Sequence, residues 1–310
     1  MIKIFKMSEN KFISVDEVEE NCWINVINPD SKELEKLTGE LGVPSDFLTD
    51  PLDIDERARI ETEDGVTLIV LRIPRFDENN QEIPFTTMPI GIILTAYTII
   101  TVCSADVTTG LELFNGKIKK VSFENKSHFI MHIFLKSVKL YLKYLKEINK
   151  RTNSVEKELQ KALKNEELIK LLNIEKSLVF FTTSLKSNEL MMERLQKNDI
   201  LRLDTDEKDM LEDILIDNKQ AIEMTNIYSN ILSGMMDAFA SVISNNLNIV
   251  MKVLTSITII LMIPTLIASI YGMNIGLPFQ HSLHAFYIVT GISLALATTS
   301  VLVFIKNKWF

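Results

Sequence analysis

Residues 253–271 read Val-Leu-Thr-Ser-Ile-Thr-Ile-Ile-Leu-Met-Ile-Pro-Thr-Leu-Ile-Ala-Ser-Ile-Tyr, nineteen positions without a charged side chain. A second uncharged run, Ala285 to Ile305, follows after a thirteen-residue connection. Each is close to the ~20 residues that cross a hydrocarbon core of ~30 Å. Together they predict a C-terminal two-helix transmembrane hairpin, with spans 253–271 and 285–305, rather than a pair of buried core helices. Lys252 precedes the first span and Lys306 and Lys308 follow the second, while the connection 272–284 has neither Lys nor Arg. This asymmetry places both termini in the cytoplasm and the connection outside. Residues 1–13 carry Lys3, Lys6, Glu9 and Lys11 and no apolar h-region, so no anchor is expected there.

Charge is divided along the chain. All 41 acidic residues precede Asn248, and only three of the 33 basic residues follow it, which leaves an acidic body and an apolar tail. With 46% apolar residues among 310, disorder and collagen-like repeats are excluded. A net charge of −8 argues against a nucleic-acid or other phosphate-binding partner unless charge is segregated locally. Cys22 and Cys103 lack the spacing of a disulfide framework or a thiolate zinc site, which suits a reducing, cytosolic body. His128 and His132 lie one helical turn apart but lack the glutamate of a zinc peptidase. No phosphate-binding glycine loop, dinucleotide fingerprint or nucleophile elbow occurs, so no enzyme activity is expected.

The body divides by pattern. Over residues 1–115, short β-branched runs at Met1 to Phe5, Trp23 to Ile27, Val66 to Ile73 and Ile90 to Val102 read as strands. Ser31 to Leu41 reads as a helix capped by Asp30 or Ser31 and stopped by Gly42. An α+β or α/β domain fits. After Gly116 no Gly or Pro occurs before Gly234, and Phe129, Ile133, Val138, Leu142 and Leu145 recur at helical steps. Polar clusters at Lys164 to Glu167 and Asn198 to Asp209 divide this stretch into about three helices, giving a helical hairpin over 116–203 and a stalk helix over 204–271. Asp204 and Glu207 have capping-box spacing, and nothing breaks the helix from Thr205 to Pro264, so it should run on into the first span. Sixty-seven residues from Thr205 to Tyr271 make roughly 100 Å of helix, suited to a pore stalk or a signalling rod.

A simple anchor needs no polar residues, yet Asn248, Met251, Thr255, Thr258, Met262, Thr265 and Ser269 follow one another at steps of three and four. They therefore share one helix face, with Val253, Ile257, Ile260 and Ile267 opposite. Two readings fit such a stripe: close helix packing through small side chains, or the lining of a conduit. One hairpin cannot surround a channel, so the second requires an oligomer with this face turned to a central axis. The helix must stop just beyond, since Gly272, Gly276 and Pro278 cannot sustain it.

Tyr271-Gly272-Met273-Asn274 between two C-terminal spans, with Met251-Lys252-Val253-Leu254-Thr255 twenty residues earlier and Lys308-Trp309-Phe310 at the end, resembles the CorA family of magnesium transporters. Upstream, Glu56-Arg57 and Arg59-Ile60-Glu61 before a Leu-Ile-Val strand are similar to the family pattern, with Ala58 where a proline is common. The resemblance implies a funnel-shaped homopentamer in the plasma or inner membrane, carrying Mg²⁺ inward. It implies that Gly272, Met273 and Asn274 form the outer selectivity ring and that Asn248, Met251, Leu254, Thr255, Met262 and Thr265 lie along the conduit, to whose lining the stripe adds Thr258 and Ser269. Mg²⁺ dehydrates reluctantly, so a ring of amide and carbonyl oxygens around the hydrated ion suits it. Met251, Leu254 and Met262 are poor ligands for a hard cation and read as a constriction that closes by dewetting. By the same resemblance Asp213, and Asp77 from a neighbouring subunit, bind regulatory Mg²⁺ and hold the pore closed.

The outer loop departs from the family pattern. Ile275 to His284 has no carboxylate, where many relatives carry a glutamate. His281 and His284 would oppose cations when protonated, or bind the softer Co²⁺, Ni²⁺ or Zn²⁺. The double glycine of a zinc-transporting branch is absent after Asn274. The rival from another class is a membrane-anchored coiled-coil signalling or scaffold protein, which would leave Asn274 without a purpose.

Overall fold

The computed structural model describes residues 1–8, 11–78, 80, 82–106, 123, 125–161, 165–278, 283–307 and 309. Outside the described residues lie Glu9, the domain boundary near residue 115, Lys164 of the first helix break, Phe279 to Ser282 with His281, and Lys308 and Phe310. The chain forms two compact units, Met1–Ser233 and Gly234–Phe310.

In the first unit seven strands make one mixed sheet, ordered β2 (Lys11–Val15), β1 (Ile2–Ser8), β3 (Trp23–Ile27), β7 (Ile99–Cys103), β6 (Phe85–Leu94), β5 (Val66–Phe76), β4 (Arg59–Glu63). Neighbours are antiparallel except β3 and β7, which pair in parallel with Trp23 opposite Ile99. Side chains alternate across the sheet, and here both faces are covered. Ile24, Val26, Leu68, Val70, Ile100 and Val102 meet Leu37, Phe47 and Leu48 from α1 (Ser31–Leu41) and α2 (Ser45–Thr49) on one face. Trp23, Ile69, Leu71, Ile90 and Ile92 join Phe129, Phe134 and Met191 on the other. These come from α3 (Lys126–Lys161) and α4 (Asn165–Asn198).

Local chemistry sets the element ends. Asp30 caps α1 reciprocally with Glu33, and Gly42 closes it at φ +63°, a left-handed conformation that costs a glycine little. Gly91 is required for a different reason: a Cβ there would sit 2.3 Å from Cγ of Pro51, so the short turn Asp50–Leu52 could not lie against β6. The run Ile90 to Val102 is not one strand but the end of β6 and most of β7. Thr95 Oγ1 accepts from the backbone N–H of Thr98 at 3.0 Å and of Tyr97 at 3.3 Å, which closes a turn without Gly or Pro. The edge strands β2 and β4 are largely exposed, and β4 carries Arg59, Glu61 and Glu63, charges that discourage pairing with another chain.

Arg72 on β5 ties the sheet to its helices. Asn188 of α4 bonds both sides of its backbone, accepting from N at 2.9 Å and donating to O at 2.7 Å. Tyr141 of α3 donates to the same carbonyl at 3.1 Å, and the guanidinium donates to Ser184, Thr87 and the Ile54 carbonyl. Burial without a carboxylate bonded to it lowers the pKa of this arginine. The last long helix, α5 (Thr205–Tyr271), starts in a reciprocal box: Glu207 N donates to Asp204 at 2.8 Å and Asp204 N donates to Glu207 at 3.1 Å. Its C-terminal part belongs to the second unit with α6 (Ala285–Lys306), and both helices are long and apolar enough to cross a membrane.

Candidate functional site

The second unit shows which face of each apolar helix its fold shields. On α5, Ser256 is buried and Val253, Ile260, Ile263, Ile267 and Tyr271 are half-buried, at steps of three and four. On α6, Ser293 is buried and Ile288, Val289, Ala297, Val301 and Phe304 are half-buried. Two small hydroxyl residues thus lie at the most shielded positions of the pair. Ile257, expected beside Val253 and Ile260, remains 45% exposed.

The polar stripe is elsewhere. Asn248, Thr255, Thr258, Thr265 and Ser269 are all exposed, with Met251 at 51%, Leu254 at 57% and Met262 at 64%. At 100° per residue the stripe is centred roughly 160° round α5 from the shielded face. Packing within the hairpin therefore does not explain it. Two of its four hydroxyls have a fixed polarity: Thr258 Oγ1 donates to the Leu254 carbonyl at 2.8 Å and Thr265 Oγ1 to the Leu261 carbonyl at 2.9 Å. With the proton engaged, each oxygen turns only lone pairs outward. Pro264, inside the helix, removes the N–H that the Ile260 carbonyl would otherwise accept.

α5 ends where the motif begins. Gly272 N donates to the Ala268 carbonyl at 2.9 Å, Met273 N to the Ile270 carbonyl at 3.2 Å, and the Tyr271 hydroxyl to the Pro278 carbonyl at 3.4 Å. Met273 and Asn274 then stand exposed beyond the last turn. The carbonyl end of a helix carries partial negative charge, and a carboxamide adds a neutral oxygen beside it. Such a combination is chemically able to attract a cation without a carboxylate.

The other expected ligands are far less concentrated. Asp77, at the end of β5, pairs with Arg75 at 3.4 Å, and its backbone N–H donates to the Pro84 carbonyl at 2.9 Å. Asp213 is exposed on α5 between the buried Leu211 and Ile214. Among the described residues no group of three or more His, Cys, Asp or Glu side chains could hold a metal ion. The rings of His128 and His132 meet edge to face at 4.7 Å. Burial, and then His128, Lys136 and Lys139, push the His132 pKa down to about 4.

The model of the CorA-like Mg²⁺ transporter protein family matches residues 18–306. The chain belongs to the CorA family. It is 28% identical over 292 residues to the cobalt/magnesium transport protein CorA of Methanocaldococcus jannaschii, covering 93% of this chain and 90% of that one. It is 26% identical to the magnesium transport protein CorA of Helicobacter pylori, covering 98% and 96%. The complete structure of the Methanocaldococcus jannaschii CorA magnesium transporter superposes with a TM-score of 0.86 at 25% identity, over 100% of this chain and 99% of that one. The CorA architecture is thus present throughout: an N-terminal α/β domain, long helices and two apolar C-terminal helices. The family is one of transporters, not enzymes.

Proposed function

We propose that this chain assembles as a homopentamer in the cell or inner membrane, both termini cytoplasmic, and conducts hydrated Mg²⁺ inward. The carrying observation is the stripe on α5 that the hairpin leaves open: its exposed oxygens face away from the shielded side, as a conduit shared between copies requires. Asn274, with Gly272 and Met273, forms the outer ring, where carboxamide and carbonyl oxygens hold the ion through its waters. Thr255, Thr258, Thr265, Ser269 and Asn248 continue the path as acceptors, and Met251, Leu254 and Met262 form the constriction. Two charges moving through 100 mV gain about 4.6 kcal/mol, so the membrane potential suffices as driving force. No charged residue interrupts either span, which favours a passive conduit over a proton-coupled carrier.

Feedback would come from cytoplasmic Mg²⁺ bridging Asp77 and Asp213 of neighbouring copies in the closed state, through its higher affinity for that state. The names of relatives extend the candidate substrates to Co²⁺. Neither the nickel and zinc readings nor the scaffold reading is favoured. The test is Mg²⁺ uptake into proteoliposomes under an inside-negative potential. Wild-type uptake should be largely lost in Asn274→Ala, which removes the carboxamide ring of the filter, and should decline as internal Mg²⁺ rises. A folded, oligomeric wild type without uptake would refute the proposal, and Asp213→Ala that keeps full inhibition would refute the gate alone.

A further inference from the structure

In the first unit, beside the Phe76/Phe85 end of the β5 and β6 pair, α3 borders a cleft of about 820 Å³. Its walls are the rings of Phe76, Phe85 and Tyr144, and its rim is cationic: Lys139, Lys143, Lys146 and Lys150 at steps of four, three and four, with Arg151. The one carboxylate in the lining, Glu147, accepts from Arg151 Nε at 3.3 Å. All four lysines are exposed, and among the described residues none has a carboxylate partner. Shortage of acids is not the cause, because this chain is net negative and lysines nearby on the helices do pair, Lys170 with Glu167 at 2.8 Å and Lys219 with Glu189 at 3.9 Å.

Arg151 is held differently from the lysines. Its guanidinium lies 5.1 Å from the Phe76 centroid and 5.0 Å from that of Phe85, and its terminal nitrogens have no partner among the described residues. A planar fork fixed on two rings, with four mobile ammonium groups along one helix face, is the donor set that binds phosphoryl oxygens. From Lys139 to Lys150 the charge extends roughly 16 Å along the helix, longer than a single phosphate needs. The volume is that of a small-molecule site.

We propose that this cleft binds a polyphosphate chain, either inorganic or carried by a nucleoside triphosphate. The proposal is independent of the ion pathway in the second unit. Because Phe76 directly precedes Asp77, an occupant would touch the segment placed at the regulatory carboxylate.

The test is titration calorimetry on the full-length protein in zwitterionic nanodiscs, in divalent-free buffer, with sodium tripolyphosphate and sodium ATP as separate probes. Both should bind, more weakly as salt rises. Lys143→Gln with Lys146→Gln should weaken binding at least about tenfold, since each ammonium contributes charge-assisted hydrogen bonds. The same charge change at Lys157 and Lys176 should leave affinity within about twofold. Tighter binding of ATP assigns the aromatic wall to the base, and equal affinities assign the phosphate chain alone. No heat from either probe, or an equal loss in the Lys157 and Lys176 variant, overturns the proposal. So does a Lys143 and Lys146 variant with altered oligomer mass and no binding to lose, which would make the stripe a contact between copies.

Discussion

The two units handle apolar surface in opposite ways. In Met1–Ser233 the sheet is covered on both faces, and Trp23 Nε1 and Arg72 find partners inside, with Thr101 at 2.8 Å and with α3 and α4 respectively. In Gly234–Phe310 the order is reversed: Leu261, Leu266, Leu294 and Leu302 are each more than 60% exposed, and among the described residues the most shielded side chains are two serines. A chain in water cannot keep the second pattern, because so large an apolar surface must be covered by lipid or by other copies. The apolar helices of the second unit therefore need lipid or other copies around them.

The comparison breaks most clearly at Trp23. Trp23→Ala, which empties the ring cluster with Phe5, Phe12 and Phe129, should cost about 3–5 kcal/mol in denaturant unfolding of the first unit. Helix content of the membrane hairpin in detergent should be unchanged. In the second unit, Leu254→Asn with Met262→Asn should cost little folding energy, since both side chains are exposed, yet should raise proteoliposome uptake in the presence of internal Mg²⁺ by wetting the proposed constriction. A weaker effect separates the units by pH. His132 is held neutral in the folded state down to about 4, whereas the unfolded chain takes up its proton near 6.5. The unfolded state binds more protons in that window, so stability of the first unit falls as pH drops from about 6.5 towards 4. Thermal unfolding should show this slope, and His132→Gln should flatten it. Asp204→Ala should have the smallest effect, about 1 kcal/mol, by removing the cap of α5, read as a lower denaturant midpoint at unchanged slope.

Much of this was legible before the structure. The two spans, the Asp30 and Gly42 ends of α1, the Asp204 and Glu207 box and the spacing of the stripe all follow from local chemistry. What stayed hidden depended on partners distant in sequence. The turn between β6 and β7 is built from Thr-Ala-Tyr-Thr, residues that read as strand, and it closes through hydroxyl hydrogen bonds. The edge strand β4 reads Arg-Ile-Glu-Thr-Glu and lacks an apolar run to reveal it. The break before α5 passes through Asp199 and Arg202 at φ +45° and +49°, left-handed positions without a glycine to mark them. On α5 the periodicity located the stripe, but only the burial of Ser256 showed that the hairpin uses another face. Lys139, Lys143, Lys146 and Lys150 repeat at helical steps in plain view, yet their lack of carboxylate partners among the described residues is a tertiary fact.

The hydroxyl groups of Thr258 and Thr265 have one more consequence. Their protons are committed to the Leu254 and Leu261 carbonyls, so an anion moving along this face would meet oxygen lone pairs and no donor from either residue. In the proposed conduit these two neutral groups, which do not titrate, would favour a cation. Acid has no carboxylate to switch off here, and salt has no fixed charge to screen, so a pathway along this face keeps its choice of sign where an acidic ring would lose it.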